Sequence, residues 1–195
     1  MYKRQVYIPA YNCEDFICEA VESALNQTYD DLEVVVCNDG STDKTGQLLD
    51  DHYSENERVT ILHQSNQGIS SATNAAIRSC RGEYILQLDA DDVLLPNCVE
   101  SLVAVMDTTD HDFVYGDSHL IGLDGEDLGP AYSWSTYSRF RLLNGMFIHH
   151  PRMFRSSVFA RTDGFNVELS NAVDFDFYLQ LSLHARGYHL QMPLY

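Results

Sequence analysis

Apolar residues recur along the chain with two different periods. Short apolar and β-branched runs, of the length typical of buried strands, lie at residues 5–8, 32–37, 59–62, 84–88 and 112–115. Longer segments with apolar residues at helical spacing lie at residues 14–25, 70–79 and 96–106, and another runs through Leu48 and Leu49. This regular alternation of predicted strands and helices predicts an α/β fold with a mostly parallel central sheet flanked by helices.

The pattern changes after residue 116. Residues 117–145 contain several glycines and a proline together with aromatic residues, which predicts a hairpin and loops in place of another strand–helix unit. Residues 149–152 are interpreted as a polar loop, or as buried histidine bonded to backbone. Helical spacing returns at residues 171–184. The length of 195 residues fits one domain, and the run that ends at Tyr195 reads as a strand, so we expect a domain excised from a longer chain.

The net charge of −17 argues against a nucleic-acid partner and against attraction to an anionic membrane. A charge this negative favours the binding of a divalent cation where several carboxylates lie close together. The five cysteines form no CxxC pair, and no apolar run approaches the roughly 18 residues of a membrane span. We therefore expect a cytoplasmic protein with no transmembrane segment in this chain, peripheral to the membrane at most through regions outside it.

Three polar clusters follow predicted strands, at residues 9–12, 38–41 and 89–92. Ligands of open α/β sheets bind outside the carboxyl ends of the strands, so the clusters are expected to meet at one edge. Tyr11 offers a face for stacking, and Asp39 accepts hydrogen bonds from a base or ribose. A carboxylate pair at a strand end, such as Asp89 and Asp91, suits Mg²⁺ or Mn²⁺ together with substrate phosphates.

Each cluster also has a purely structural interpretation. Asp39-Gly40 is a common turn, and Ser41 or Thr42 is placed to cap the helix that follows. Asp89 and Asp91 could cap the helix that begins near Pro96, although Asp92 and Asn97 are better placed for it.

The clusters together resemble the successive signatures of family-2 glycosyltransferases, which have the Rossmann-like GT-A fold of nucleotide-diphospho-sugar transferases. The matching stretches are Val6-Tyr7-Ile8-Pro9-Ala10-Tyr11-Asn12, Asn26-Gln27-Thr28, Asn38-Asp39-Gly40-Ser41-Thr42-Asp43, Asn66-Gln67-Gly68 and Asp89-Ala90-Asp91-Asp92. The resemblance implies a nucleotide-sugar-binding half, residues 1–116, and an acceptor-side half, residues 117–195.

The resemblance also implies roles for single residues. Pro9, Ala10, Tyr11 and Asn12 would line the uridine pocket of a UDP-sugar, Asp39 would bond the uracil, and Asn66 and Gly68 would sit near the nucleotide. Asp89 would contact the ribose or the water shell of Mn²⁺ or Mg²⁺, and Asp91 would bind that cation directly. Asp174 matches the general base of an inverting transfer, whereas Asp176 points to another helix face and is expected to be structural.

The later segments resemble the second module of bacterial two-module hyaluronan synthases and chondroitin polymerases. The matching stretches are Tyr132-Ser133-Trp134, residues 146–154 and residues 170–176. That resemblance implies a glucuronosyltransferase acting on a polysaccharide acceptor, beside a partner transferase module. Because glucuronate needs a cationic partner, Arg152, His149 or His150 is a candidate to meet its carboxylate.

The sequence differs from the family pattern at two points. The family's Ala-Arg-Asn is Ala72-Thr73-Asn74 here, and a histidine that serves the family as a metal ligand would fall beyond Tyr195. Two alternatives stay open: the same fold with UDP-N-acetylhexosamine or UDP-glucose as donor, or a non-catalytic UDP-sugar-binding or docking module.

Overall fold

A computed structural model describes residues 4–122, 125–134 and 136–195 of the chain. The strands in these ranges are β1 (Arg4–Ala10), β2 (Leu32–Asp39), β3 (Val59–Gln64), β4 (Tyr84–Gln87), β5 (Phe113–Asp117), β6 (His119–Ile121), β7 (Asp127–Pro130), β8 (Arg152–Arg155) and β9 (Gly187–Pro193). The helices are α1 (Ile17–Leu25), α2 (Thr45–Tyr53), α3 (Ile69–Ser79), α4 (Cys98–Thr108), α5 (Arg139–Leu142), α6 (Ser156–Phe159) and α7 (Val173–Leu181).

Seven of the described strands form one sheet in the order β3-β2-β1-β4-β8-β5-β9. The pairs β3-β2, β2-β1, β1-β4 and β5-β9 are parallel, whereas β8 is antiparallel to both of its neighbours. The predicted α/β architecture with a mostly parallel sheet is therefore confirmed. The two remaining strands, β6 and β7, pair as a separate antiparallel hairpin, as the glycine-rich pattern of residues 117–145 predicts.

The interpretation of residues 149–152 as a loop was incomplete, because β8 begins at Arg152. Arg152 pairs with Gln87 on one side and with Tyr115 on the other. Since β8 runs against its neighbours, its first residue lies beside the carboxyl end of β4. The central position of β8 thus carries a guanidinium to the edge of the sheet where the polar clusters meet.

Apolar side chains pack on both faces of the sheet. One cluster joins α1 and α4 to the face that carries Val6, Ile8 and Leu86. The other joins α3 and α7 to the face that carries Tyr7, Val35 and Ile85. The alternation of faces along β1 and β4 follows from the two-residue period of a strand, and burial on both faces explains their continuous apolar runs.

The predicted cap of α2 was wrong. The helix begins at Thr45, whose N–H donates to Asp43 Oδ1 at 2.9 Å. Ser41 and Thr42 bond to Asn12 instead: Ser41 Oγ accepts from the Asn12 N–H, and the Thr42 N–H donates to Asn12 Oδ1. These bonds fasten the loop after β2 to the loop after β1. Within the described ranges, no helix is long and apolar enough to cross a membrane.

Candidate functional site

Two adjoining cavities open at the carboxyl ends of the parallel strands β1, β2 and β4. The Asp39 pocket has a volume of about 320 Å³ and lies between β1, the end of β2 and the start of α3. The Asp89 pocket has a volume of about 460 Å³ and extends from the same β1 segment toward β8 and α7. Both are lined by Pro9, Tyr11 and Ile69, so they form one continuous depression.

Every residue that the sequence predicts for the nucleotide, the cation or the general base lines one or both pockets. Of the three candidates for the donor's carboxylate, Arg152 and His150 line the Asp89 pocket, whereas His149 lines neither pocket. The Asp39 pocket contains Pro9, Ala10, Tyr11, Asp39, Asn66 and Gly68. The Asp89 pocket contains Pro9, Tyr11, Asn12, Asp89, Asp91 and Asp174. The fold thus brings Asp174 to the same depression as Tyr11, although 163 residues separate them in the sequence. Their individual roles stay predictions.

The Asp39 carboxylate accepts three hydrogen bonds from residues in and beside the wall of its pocket. Its side chain is buried, and Oδ1 accepts from the Gln67 N–H at 2.9 Å and from Gln64 Nε2 at 2.7 Å. Oδ2 accepts from the Gly68 N–H at 2.8 Å. Gly40 lets this loop approach, because a Cβ there would lie 2.5 Å from the Asn66 nitrogen, and its φ of +66° is in the left-handed region. The carboxylate therefore shapes the pocket whether or not it also contacts a ligand.

Left-handed backbone at a non-glycine residue occurs at two described positions, and both border the Asp89 pocket. Asn12 has a φ of 49°, and Ala172, which immediately precedes α7, has a φ of 53°. Such conformations persist only where the surrounding structure enforces them, and they are concentrated at functional sites. Here they set the loop after β1 and the start of the helix that carries Asp174.

Asp89, Asp92 and His150 form a group of potential cation ligands in the described part of the chain, with one ligand atom of each within 4.8 Å of the others. The Tyr195 hydroxyl connects them. It donates to Asp92 Oδ2 at 2.9 Å, accepts from the Asp89 N–H at 3.0 Å, and lies 2.8 Å from His150 Nδ1. The end of the chain is thereby anchored against the acidic run.

This donor set fits a divalent cation. Two carboxylates and an imidazole are ligands that Mn²⁺ accepts, and Mg²⁺ favours the carboxylate oxygens. His150 is buried, and its Nε2 has no hydrogen-bond partner. Asp91 is exposed and lies outside this three-residue group, although it lines the same pocket. Its assignment as the direct ligand stays a prediction.

Burial shifts the protonation of the group. It raises the pKa of Asp89 to about 6, with Asp92 and Asp91 acting in the same direction and Gln87 and Arg152 in the opposite one. Burial also raises the pKa of Asp92 and lowers the pKa of His150, the latter with help from Arg152 and His149. His150 is therefore neutral near pH 7 and retains a lone pair for a cation or a hydrogen bond.

Arg152 and Asp174 lie beside each other in the wall of the Asp89 pocket. Arg152 Nη1 lies 3.2 Å from Asp174 Oδ2, and the guanidinium carbon lies 5.4 Å from the centre of the Tyr178 ring. The Arg152 side chain is only 8% exposed, yet its Nε and Nη1 have no hydrogen-bond partner in good geometry. Among the described residues that line this pocket, Arg152 is the only lysine or arginine.

The family model described as "Glycosyl transferase family 2" matches residues 5–166. The chain belongs to this family. The match begins in β1 and ends beyond α6, so it includes both pockets except for the wall formed by α7.

This glycosyl transferase domain is similar to two bacterial polysaccharide synthases. It is 48% identical over 181 residues to a chondroitin synthase from Escherichia coli, covering 91% of this chain and 26% of the relative. It is 44% identical over 191 residues to a hyaluronan synthase from Pasteurella multocida, covering 97% of this chain and 20% of the relative. The chain thus spans only 26% and 20% of the length of these two relatives. The resemblance to glycosaminoglycan synthases found from motifs is confirmed.

Solved structures agree with the predicted fold. Staphylococcus aureus TarS in complex with UDP-GlcNAc superimposes with a TM-score of 0.83 at 25% identity, over 99% of this glycosyl transferase chain and 57% of TarS. The mannosyltransferase PcManGT from Pyrobaculum calidifontis, in complex with GDP-Man and Mn²⁺, superimposes with a TM-score of 0.72 at 20% identity, over 98% and 55% of the two chains. The GT-A assignment is therefore confirmed.

Three features of the site were missed from the sequence. Asp92 was considered as part of the acidic run and as a helix cap, but not as a cation ligand. His150 was considered as a loop or core residue, or as a partner for the donor's carboxylate, and Tyr195 was given no role. His150 and Tyr195 reach the acidic run through contacts with residues 61 and 106 positions away, and no local spacing signals such contacts. Asp92 does carry a signal, because it extends the run that includes Asp89 and Asp91.

Proposed function

We propose that this domain transfers glucuronate from UDP-glucuronate to a glycan acceptor with inversion at the anomeric carbon. The observation that carries the donor assignment is Arg152, the buried guanidinium in the wall of the otherwise acidic Asp89 pocket. A carboxylated sugar supplies an acceptor for Nε, which has no hydrogen-bond partner, and for Nη1, whose contact with Asp174 is not a well-formed hydrogen bond. A neutral hexose has no charge to offer.

The two pockets are suited to different parts of the UDP-sugar donor. The Asp39 pocket is narrow, carries an exposed Tyr11 ring at its mouth, and has the buried Asp39 carboxylate in its wall, which suits uracil and ribose. The Asp89 pocket is lined by Asp89 and Asp91 of the acidic run and by the pair Arg152 and Asp174, which suits a diphosphate followed by the sugar. The shared wall at Pro9 and Tyr11 gives the donor one continuous path.

The transfer is a single displacement. The acceptor hydroxyl oxygen attacks the anomeric carbon, Asp174 takes the hydroxyl proton, and the bond from that carbon to the diphosphate oxygen breaks with its electron pair leaving on UDP. Asp174 is suited to this role because it lines the pocket and its side chain is about one-third exposed. Arg152 must give up part of its contact with Asp174 when the donor carboxylate binds, which leaves the base free to accept the proton.

A divalent cation, Mn²⁺ or Mg²⁺, held by Asp89, Asp92 and His150, with Asp91 of the same acidic run, would supply positive charge against the leaving diphosphate. The protein repels an anionic donor electrostatically, because its net charge is −17. Arg152 and the bound cation together offset this repulsion.

The acceptor and the setting of the domain follow from its relatives. Similarity to chondroitin and hyaluronan synthases supports an oligo- or polysaccharide acceptor, and the length of those relatives supports a partner transferase module. A cytoplasmic position, at or near the membrane, belongs to the same proposal. The complex of TarS with UDP-GlcNAc supports an N-acetylhexosamine as the alternative sugar on the same fold.

Replacing Arg152 tests the donor assignment. In Arg152→Gln the affinity for UDP-glucuronate is expected to fall by about 10- to 100-fold, which corresponds to the loss of one or two charge-assisted hydrogen bonds. The affinity for UDP-glucose should change by less than about threefold, because that sugar has no carboxylate to lose. Calorimetric titration of both donors in the presence of Mn²⁺ measures the difference.

The matched control is Arg155→Gln at the other end of β8, where the arginine pairs with Glu83 outside both pockets. This variant should leave both affinities unchanged. Equal losses for the two donors in Arg152→Gln would show that Arg152 serves the shape of the pocket, and would remove the support for glucuronate.

A further inference from the structure

A third concave surface lies outside the two pockets of the site. We call it the Trp134 groove; it has a volume of about 430 Å³ and includes Tyr132, Trp134, Phe140, Arg141, Asn144 and Met146. Its rings remain largely accessible: Trp134 is 40% exposed and Phe140 is 76% exposed. Accessible aromatic side chains grouped in a groove with a polar rim are typical of a binding surface.

The charge of the groove is opposite to that of the protein. The Arg141 guanidinium lies 4.5 Å from the centre of the Trp134 ring, whereas Arg139, two residues earlier on α5, does not line the groove. Neither arginine forms an ion pair with any residue that the structure describes. In a chain with a net charge of −17, Arg141 lies beside an aromatic ring without a carboxylate partner among the described residues, which favours an anionic ligand.

An acidic carbohydrate fits these two properties together. The C–H-rich face of a pyranose packs on an aromatic ring such as Trp134, whereas sugar hydroxyls bond to polar groups at the rim such as Asn144. A uronate carboxylate pairs with the planar guanidinium of Arg141. A purely apolar partner would leave Arg141 uncompensated, and an inorganic anion would leave the aromatic faces unused.

The groove lies near the site, and aromatic contacts lead from one toward the other. The Tyr132 ring lies 6.0 Å from the Trp134 ring and 6.3 Å from the His149 ring, measured between centres. His149 in turn is close enough to Arg152 and Asp174 for both to act on its pKa, which burial lowers most strongly. A chain whose terminal hydroxyl reaches Asp174 therefore has a path past His149 and Tyr132 into the groove.

We propose that the Trp134 groove binds the acceptor glycan, specifically an acidic, uronate-containing oligosaccharide, behind its terminal sugar. This inference rests on the proposed function, since it takes Asp174 as the point where the acceptor reacts. It adds Trp134 and Arg141 as determinants of acceptor affinity and of the preference for a charged chain.

Trp134 is the only tryptophan of the chain, so intrinsic tryptophan fluorescence reports on the groove alone. Titrating the protein with a chondroitin oligosaccharide, in the presence of UDP and Mn²⁺, is expected to shift the emission along a saturable curve. A neutral chitin oligosaccharide of equal length should bind at least about tenfold more weakly, as the loss of one charge-assisted contact implies. Raising the salt concentration should weaken the charged ligand selectively.

Two variants locate the contact. Arg141→Gln is expected to weaken chondroitin binding by about tenfold and to reduce the preference over the neutral chain. Trp134→Ala should raise the acceptor KM in transfer assays by a similar factor, whereas Tyr188→Ala, which removes a comparably exposed aromatic ring on β9, should not. Thermal unfolding of each variant checks that the fold is retained.

The outcomes separate this inference from the proposed function. If UDP-sugars bind but no oligosaccharide changes the Trp134 emission, the groove is not the acceptor site and the inference is overturned. Equal binding of charged and neutral oligosaccharides would overturn the assignment to an acidic glycan. If UDP-sugars do not bind at all, the failure belongs to the proposed function.

Discussion

Asp174→Asn is expected to lower the rate of sugar transfer by about 10²- to 10⁴-fold, the usual contribution of a general base. The amide keeps the size of the side chain and a hydrogen-bonding oxygen near Arg152, but it no longer accepts the acceptor's proton. Affinity for UDP should change little, because Asp174 lies on α7 at the side of the pocket toward Arg152 and is absent from the Asp39 pocket. Steady-state kcat together with calorimetric UDP binding measures both quantities.

Asp176→Asn is the matched control on the same helix. Asp176 Oδ2 accepts from Gln180 Nε2 at 2.7 Å, and the side chain lies outside both pockets of the site. Its kcat should stay within about threefold of the unmodified chain, as expected for a partly exposed residue away from the chemistry. An Asp174→Asn variant that transfers sugar at a normal rate would refute the general-base role, and so would an equal loss in both variants.

Removal of divalent cations is expected to have the second large effect. Chelation with EDTA should lower transfer by about 10²- to 10³-fold, since the charge opposing the leaving diphosphate is worth several kcal/mol and each 1.36 kcal/mol is tenfold in rate. Added Mn²⁺ or Mg²⁺ should restore the rate. Asp91→Asn and Asp92→Asn should each weaken cation binding, whereas Asp51→Asn on the exposed face of α2 should not. Calorimetric titration with Mn²⁺, without substrate, separates binding from turnover.

The affinity of the cation site should also depend on pH. Because the pKa of Asp89 is raised to about 6, this carboxyl gains a proton as the pH falls through 6, and a bound proton competes with the cation. Cation affinity is therefore expected to be full above about pH 7 and to fall by about tenfold per pH unit well below 6. His150 does not offset the change, since its pKa is lowered. A pH-independent affinity would exclude Asp89 from the site.

The sheet edge of the site was predictable because parallel strands place their carboxyl ends together. Tyr11 after β1, Asp39 at the end of β2 and Asp89 after β4 each follow a continuous apolar run, and the run alone identifies the strand. Asp174 was predictable only through family resemblance. Its helix is mostly apolar and also carries Asp176 and Gln180, and nothing in that pattern distinguishes a general base from a surface carboxylate.

Strand β8 was not predictable in the same way. It is four residues long, begins and ends with arginine, and follows a histidine pair and a proline, so its own composition does not favour a strand. Pairing with β4 and β5 on either side determines its conformation, and that pairing is a property of the whole sheet.

The amino-acid sequence by itself determined the α/β class, the sheet edge where ligands bind and the acidic run, because these follow from local periodicity and from the geometry of parallel strands. Only the tertiary structure decided that Arg152 faces Asp174, that Tyr195 joins Asp92 to His150, and that Tyr132 of the Trp134 groove contacts His149. The physical reason is that these contacts join segments brought together by packing, over separations at which no local interaction acts.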